Sequence, residues 1–163
     1  MKFAFLAAAL TLTFTSCKKN EENNDVQETQ ENVQVTDYAT KNDEEIKAYI
    51  AKNNLKAEKT ESGLYYVITE EGKGAQPTAE SNVTVGYKGY FTDGNVFDQS
   101  GPEGITFGLN QVIPGWTEGI TYFKEGGKGI LLIPSQIGYG NNTMGKIPGG
   151  SVLLFDIDLI KVE

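Results

Sequence analysis

Glycine is distributed unevenly along the chain, and this distribution constrains the fold more than any other feature of the sequence. All 19 glycines lie at Gly63 or later. From Leu64 onward, short runs of β-branched and aromatic residues alternate with Gly, Pro, Asn and Asp, the residue types that favour turns. A domain of short strands is therefore expected over residues 63–163, and a different organisation before it.

Local patterns within residues 63–163 predict strands, a hairpin turn and one helix. Val83, Val85 and Tyr87 alternate with more polar residues, as on a half-buried strand, and residues 153–159 repeat that alternation. Residues 92–95 read Thr-Asp-Gly-Asn, which is typical of a hairpin turn. Residues 113–116 open a short helix with a proline near its first turn. The predicted fold class is α+β, an antiparallel sheet of about five strands crossed by one helix.

The N-terminus has the features of a targeting signal. Lys2 precedes an apolar run over residues 3–14, which is too short to cross a bilayer as a helix. Small residues then lead into Cys17, the only cysteine, in a pattern that resembles a bacterial lipoprotein cleavage box. We predict a signal peptide over residues 1–16 and a lipid on Cys17 that anchors the chain to a membrane of the bacterial envelope, the outer membrane. The alternative is a plain signal peptide with an incidental cysteine.

The segment after this cysteine has the composition of a linker. Residues 17–40 are rich in Asn, Glu, Gln and Thr, and such a segment buries too little apolar surface to order itself. We predict a flexible tether there. Its charged start, residues 18–22, has two interpretations: a solvated linker, or a signal that sends the lipoprotein to the cell surface.

A short amphipathic helix is predicted between the tether and the main domain. Residues 42–45 have the pattern of a capping box, and Ile46, Tyr49 and Ile50 follow at helical spacing. Two asparagines at 53–54 then end the helix. The helix and its connector occupy residues 41–62, and the apolar face packs either on the main domain or on a second copy of the chain.

Absent residue types limit the chemistry that the chain can perform. There is no His and a single Cys, which excludes Ser-His and Cys-His nucleophile pairs and the usual zinc sites. All 14 cationic side chains are Lys, against 22 acidic residues, for a net charge of -8. Without Arg and with this acidic excess, no nucleic-acid partner is expected. An enzyme of this composition is expected to need little proton transfer, no metal and no cofactor.

Seven short motifs follow one another through residues 63–163. They are VGYKG (85–89), GNVFD (94–98), QVIPGWTEG (111–119), IP (133–134), IGYG (137–140), IP (147–148) and LLFDI (153–157). In order and spacing they resemble the FK506-binding-protein (FKBP) type of peptidyl-prolyl isomerase domain. This resemblance implies a curved antiparallel sheet wrapped around the helix at Trp116, with an apolar cleft between helix and sheet.

The resemblance assigns ten residues to this cleft. Trp116 forms its floor, and Tyr139 and Ile147 hang over it from the long loop between residues 135 and 151. The residues expected to carry catalysis are Tyr87, Phe97, Asp98, Trp116, Tyr139 and Phe155. The residues expected to bind substrate are Ile105, Val112, Ile113 and Ile147. The sequence departs from the commoner family pattern at Gln99, at Gly149-Gly150 and in the loop after Tyr139, which lacks an aromatic residue or His.

These residue types suit rotation about a peptide bond before proline, because that reaction makes and breaks no bond to the substrate. The aromatic rings would bury the proline ring. The Ile113 N–H, near a helix start, would hold a substrate carbonyl, and the Tyr139 hydroxyl would donate to the carbonyl preceding proline. Asp98 is interpreted as the lone charge near the cleft, an organiser of Tyr87 rather than a base. The expected partners are proline-containing polypeptides, with FK506-like macrolides as candidate inhibitors; the competing hypothesis is a non-catalytic chaperone or binding module of the same fold.

Overall fold

The computed structural model describes residues 37–163. The predicted signal peptide, Cys17 and most of the predicted tether lie outside these residues. Among the helices of this described part, none combines the length and the apolar character needed to cross a membrane. The elements are α1 (Tyr38–Lys52), β1 (Glu58–Lys59), β2 (Tyr65–Glu70), β3 (Asn82–Tyr90), β4 (Val96–Gln99), β5 (Ile105–Gly108), α2 (Pro114–Gly119), β6 (Lys128–Ile133) and β7 (Leu153–Val162).

The strands form one antiparallel sheet in which the β3 strand is paired along both edges. The order across the sheet is β1-β2-β6-β7-β3-β4, and β5 also pairs with β3. One edge of β3 pairs with β7, while the other pairs with β5 near the start of β3 and with β4 near its end. Because β4 and β5 share one edge of β3, the strands other than the two-residue β1 occupy five positions across the sheet. This confirms the predicted α+β class and its count of about five strands.

The turn and helix that the sequence predicted for this region are also present. Between β3 and β4, the amide of Phe91 donates to the carbonyl of Asn95, and Gly94 has a φ of +90°. A positive φ favours glycine, which explains the residue choice at this hairpin. In α2, Pro114 occupies the first helical turn, as the sequence predicted.

One face of the sheet packs against α2 and contains the larger part of the core. Alternate residues of β7 point to this face, so that Leu153, Phe155, Ile157 and Leu159 are all buried. From the helix side, Trp116 and Ile120 pack into the same group. The alternation predicted for this strand is therefore confirmed, and the helix crosses the sheet where the Trp116 ring can reach β7.

The opposite face of the sheet is covered by α1. Ile46 is fully buried and packs with Leu132 of β6 and Leu154 of β7. The helix therefore packs on the main domain, which decides between the two arrangements that the sequence left open. Leu154 is buried, although strand alternation points it away from α2, because α1 covers that face.

The start of α1 differs from the sequence prediction. The helix begins at Tyr38, and Asp37 is its N-cap, accepting hydrogen bonds from the amides of Ala39 and Thr40. The segment 38–40, predicted as the end of the tether, is therefore helical. Asn42, predicted to begin the capping box, is buried inside the helix, and the polar pattern at 42–45 was misleading because its first member faces the protein interior. The end of the helix at Asn53 agrees with the prediction.

Candidate functional site

Aromatic rings packed edge to face form the floor of a cleft between α2 and the sheet. The Phe155 ring centroid lies 5.1 Å from that of Trp116, 5.5 Å from Phe97 and 6.2 Å from Tyr87. The Tyr87 and Trp116 rings are also in contact, at 5.1 Å and an interplanar angle of 86°. Because edge-to-face packing is favourable for aromatic quadrupoles, these rings hold one another in place. Trp116 and Phe155 are 5% and 4% exposed, which makes the floor a rigid apolar surface.

A glycine in β3 makes this packing possible. A Cβ atom at Gly89 would lie 2.7 Å from the Phe97 ring and 2.8 Å from the Phe155 ring. Real Cβ atoms do not approach neighbours so closely, so any side chain at position 89 would push the two rings apart. The glycine at the end of the VGYKG motif is therefore needed for the packing of the Phe97 and Phe155 rings in the cleft.

A tyrosine and an aspartate connect the aromatic floor to the rim. The Tyr87 hydroxyl donates to Asp98 Oδ2 at 2.7 Å, and the Gln99 amide donates to Asp98 Oδ1 at 2.9 Å. Burial, reinforced by the hydrogen bond to Asp98, raises the pKa of Tyr87 to about 12. Tyr87 therefore stays protonated at neutral pH, and its hydroxyl proton is directed to the Asp98 carboxylate.

The start of α2 provides a backbone donor beside the floor. Ile113 is the N-cap of α2, and its carbonyl accepts from the amides of Trp116 and Thr117 at 2.9 and 3.1 Å. Within residues 37–163, the amide of Ile113 itself donates to no other backbone carbonyl. An N–H group at a helix start has no acceptor inside the helix. This donor is therefore able to bind a carbonyl that enters the cleft.

Another part of the cleft lining is a loop, here called the overhanging loop (residues 135–150), whose backbone at Ile137 lies close to Gly115 of α2. It contributes Tyr139, Met144, Lys146 and Ile147 to the lining. Near its tip, the amides and carbonyls of Met144 and Ile147 bond each other at 2.9 Å in both directions. Tyr139 is 37% exposed and lines the cleft, so it is accessible to a ligand that enters there.

All ten residues that the sequence assigned to the site line this one cleft, which has a volume of about 650 Å³. The structure adds four lining residues that the sequence analysis did not name: Phe107, Gln111, Met144 and Lys146. Phe107 lies two residues after Ile105 on β5, on the same face of the strand, and could have been found from that spacing. Lys146 corrects the expectation that Asp98 is the lone charge near the cleft. No periodicity marks Lys146 or Met144, because both lie in an irregular loop.

Comparison with known proteins identifies the family of this domain. The family described as FKBP-type peptidyl-prolyl cis-trans isomerase matches residues 73–160. A probable FKBP-type peptidyl-prolyl cis-trans isomerase FkpA from Neisseria meningitidis is 45% identical over 129 residues, covering 76% of this chain and 47% of that protein. FkpA from Escherichia coli K12 is also 45% identical, over 111 residues that cover 66% of this chain and 41% of that protein. The chain thus spans about half the length of these relatives or less.

Solved structures give the same result for the fold. The crystal structure of FkpA from Escherichia coli superposes with a TM-score of 0.69 at 38% identity, covering 77% of this chain and 61% of that one. A peptidyl-prolyl cis-trans isomerase from Pseudomonas syringae superposes with a TM-score of 0.66 at 31% identity, covering 77% of this chain and 96% of that one. With the family match extending over more than half of its 163 residues, the chain belongs to the FKBP-type peptidyl-prolyl cis-trans isomerase family.

Proposed function

We propose that this chain is a peptidyl-prolyl cis-trans isomerase that accelerates rotation about Xaa-Pro bonds and so assists the folding of proline-containing polypeptides. The observation that carries the proposal is the aromatic cleft, whose rigid floor is formed by Trp116, Phe155 and Phe97. Its relatives at 45% identity are named for the same activity.

To catalyse this reaction, the cleft has to lower the barrier to rotation about the C–N bond before proline. A peptide bond resists rotation because resonance gives its C–N bond double-bond character, with a barrier of about 18–20 kcal/mol. Uncatalysed rotation before proline therefore takes on the order of tens to hundreds of seconds. In the twisted transition state this resonance is lost and the amide is less polar than in the planar ground state. A water-poor aromatic surface stabilises such a transition state relative to the ground state, which is what accelerates a reaction.

The roles of individual residues follow from their positions around the cleft. The proline ring would rest on Trp116, between Phe97 and Phe155. The Ile113 amide would hold a substrate carbonyl, and the Tyr139 hydroxyl would donate to the carbonyl before proline. Each gain of about 1.36 kcal/mol at the transition state multiplies the rate tenfold, so a few such contacts give a useful acceleration.

Asp98 has an organising role in this proposal. Its carboxylate accepts from Tyr87, which fixes the Tyr87 ring against Trp116. Ile105, Val112 and Ile147 would bind the residues that flank proline. No proton has to move between enzyme and substrate, and the absence of His from the sequence is therefore no obstacle.

We also propose that the chain acts in the bacterial cell envelope, anchored through a lipid on Cys17 to the outer membrane. The support is the sequence of residues 1–17, in which an apolar run over residues 3–14 is followed by Thr15, Ser16 and the only cysteine. Metabolic labelling with palmitate tests this. The label should be incorporated into the unmodified chain and lost in Cys17→Ser, and an unlabelled unmodified chain would contradict the anchor.

A protease-free assay of Xaa-Pro isomerisation, with peptides that differ in the residue before proline, tests the enzymatic proposal on the full chain. We expect acceleration that an FK506-like macrolide suppresses. Phe97→Ala should lower kcat/KM by roughly tenfold to a hundredfold, since it removes about 1.5–3 kcal/mol of apolar contact. The matched control is Tyr122→Ala, which truncates an aromatic ring that stacks on Tyr66 outside the cleft lining. An unaccelerated rate with every peptide would favour the non-catalytic binding module.

A further inference from the structure

A buried asparagine joins the N-terminal helix to the overhanging loop. Asn42 lies in the second turn of α1 and is fully buried. Its Nδ2 donates to the carbonyl of Gly150 at 2.9 Å, and its Oδ1 accepts from the amide of Ser135 at 2.8 Å. These two partners are the first and last residues of the overhanging loop. One side chain therefore bonds both ends of the segment that projects over the cleft.

The two contacts complete a closed ring of hydrogen bonds at the base of the loop. The amide of Gly150 donates to the carbonyl of Gly140 at 2.9 Å, and the amide of Gly140 donates to the carbonyl of Ser135 at 2.7 Å. Asn42 closes the ring between Gly150 and Ser135. Because Tyr139 directly precedes Gly140, its backbone is attached to this ring. A side chain from α1 is thus part of the hydrogen-bonded ring that lies next to Tyr139.

The fit between α1 and the loop base is close. Gly150 has a φ of +75°, and a Cβ atom there would lie 1.9 Å from a carbon of the Tyr38 ring. Tyr38 thus covers Gly150 directly, one helical turn before Asn42. These two α1 side chains cover the loop base and shield its hydrogen bonds from water. Hydrogen bonds are stronger in the protein interior than in water.

The helix that carries Asn42 is itself anchored at several points. Ile46 is fully buried against the sheet. Asp43 accepts from Lys59 at 2.6 Å and from Tyr65 at 2.8 Å, and Glu45 accepts from Thr92 at 2.5 Å. These contacts reach β1, β2 and the hairpin after β3. Asn42 therefore holds the loop against a base that is fixed to the sheet.

We propose that Asn42 is a positioning residue for isomerisation: by bonding both ends of the overhanging loop, it holds Tyr139 and Ile147 over the cleft. This inference rests on the proposed isomerase function. The Asn42 side chain serves the two ends at once, because its amide has both a donor nitrogen and an acceptor oxygen. The helix on one face of the sheet thereby sets the geometry of the cleft on the other.

Substitution of Asn42 in the full chain tests the proposal through kinetics. Asn42→Ala removes both bonds and should lower kcat/KM by about tenfold, because a loosened loop no longer presents Tyr139 in a productive position. The control is Ile46→Val, which trims the buried face of the same helix and keeps both loop bonds. It should retain the kcat/KM of the unmodified chain. Equal losses in the two variants would reduce Asn42 to a packing residue and overturn the proposal.

A double-mutant cycle with Tyr139→Phe separates positioning from general damage. Tyr139→Phe removes the hydroxyl that would bond the substrate, and it should lower kcat/KM in the unmodified chain. In the Asn42→Ala background the same change should have less than about half of that effect on log kcat/KM, because the two residues act as a unit. Independent, additive effects would contradict the proposal.

Amide hydrogen exchange provides a readout that does not depend on activity. In the unmodified chain the Ser135, Gly140 and Gly150 amides should be protected and exchange together, as members of one ring. In Asn42→Ala the Ser135 amide should exchange at least about tenfold faster. Where Asn42→Ala does not fold, Asn42→Ser is the second variant, because it adds no charge and lacks the amide that bonds both ends of the loop. A fast-exchanging Ser135 amide in the unmodified chain overturns the inference about Asn42. Protected amides in a chain without isomerase activity would instead overturn the proposed function and leave Asn42 as a structural anchor of the loop.

Discussion

Tyr87 joins the apolar floor of the cleft to the one carboxylate in its lining. Its ring contacts Trp116 and its hydroxyl donates to Asp98, so one residue belongs to both the hydrophobic and the polar part of the site. The resemblance to the FKBP family had predicted that Asp98 organises Tyr87. The residues on strands and at the helix start were predictable, because regular alternation and turn residues mark them. Lys146 and Met144 were not, because an irregular loop leaves no periodic pattern.

The state of the Tyr87 hydroxyl leads to a prediction about alkaline stability. Its pKa is raised from 10.0 to about 12, first by burial and then by Asp98. Below pH 10 the folded and unfolded states both keep the proton. Between pH 10 and 12 the unfolded state loses it first, so the free energy of unfolding should fall as pH rises. Urea unfolding at pH 9, 10 and 11 measures this slope.

Tyr87→Phe is the matched variant for that measurement, because it keeps the ring and removes the titrating group. It should reduce the decrease in the free energy of unfolding between pH 9 and 11. Some decrease should remain, since burial and Glu58 also raise the pKa of Tyr66 to about 12. An identical slope in the variant and the unmodified chain would show that Tyr87 titrates normally.

Among the secondary-structure elements, α1 was predicted correctly as a helix, but its first residue was not. The spacing of Ile46, Tyr49 and Ile50 predicted the helix and its apolar face correctly. The start was placed too late, because an Asn followed by acidic residues resembles a capping box. In the fold, Asn42 bonds Gly150, 108 residues further along the chain, and Asp37 caps the helix instead. A contact over that separation leaves no trace in a window of a few residues.

The covered face of the sheet predicts a large stability cost for loss of the α1 anchor. Ile46 is fully buried between the helix and β6 and β7. Ile46→Ala should lower the free energy of unfolding by about 2–5 kcal/mol, from lost burial and the cavity that remains. Urea unfolding measures the change. Glu44→Ala, at an exposed position of the same helix, should change it by less than about 0.5 kcal/mol. Similar effects of the two substitutions would mean that α1 is not docked in solution.

At the scale of the domain, the sheet has the candidate active site on one face and the helix α1 packed on the other. Its α2 face contains the cleft, and its other face is covered by a helix that reaches around to the base of the overhanging loop. The sequence motifs were sufficient to predict the first arrangement, because they lie on strands and at one helix start. They did not predict the second, since whether α1 packs on this domain is a tertiary property.

The most direct test of the central claim observes rotation and binding in one sample. Two-dimensional exchange NMR of a proline peptide gives separate cis and trans resonances, and uncatalysed rotation over about tens to hundreds of seconds produces no exchange peaks at sub-second mixing times. With catalytic amounts of the full chain, exchange peaks should appear, and the Ile113 amide should shift as the peptide fills the cleft. A change in the Ile113 amide resonance without exchange peaks would contradict the account. The cleft would then bind the peptide without accelerating rotation about its Xaa-Pro bond.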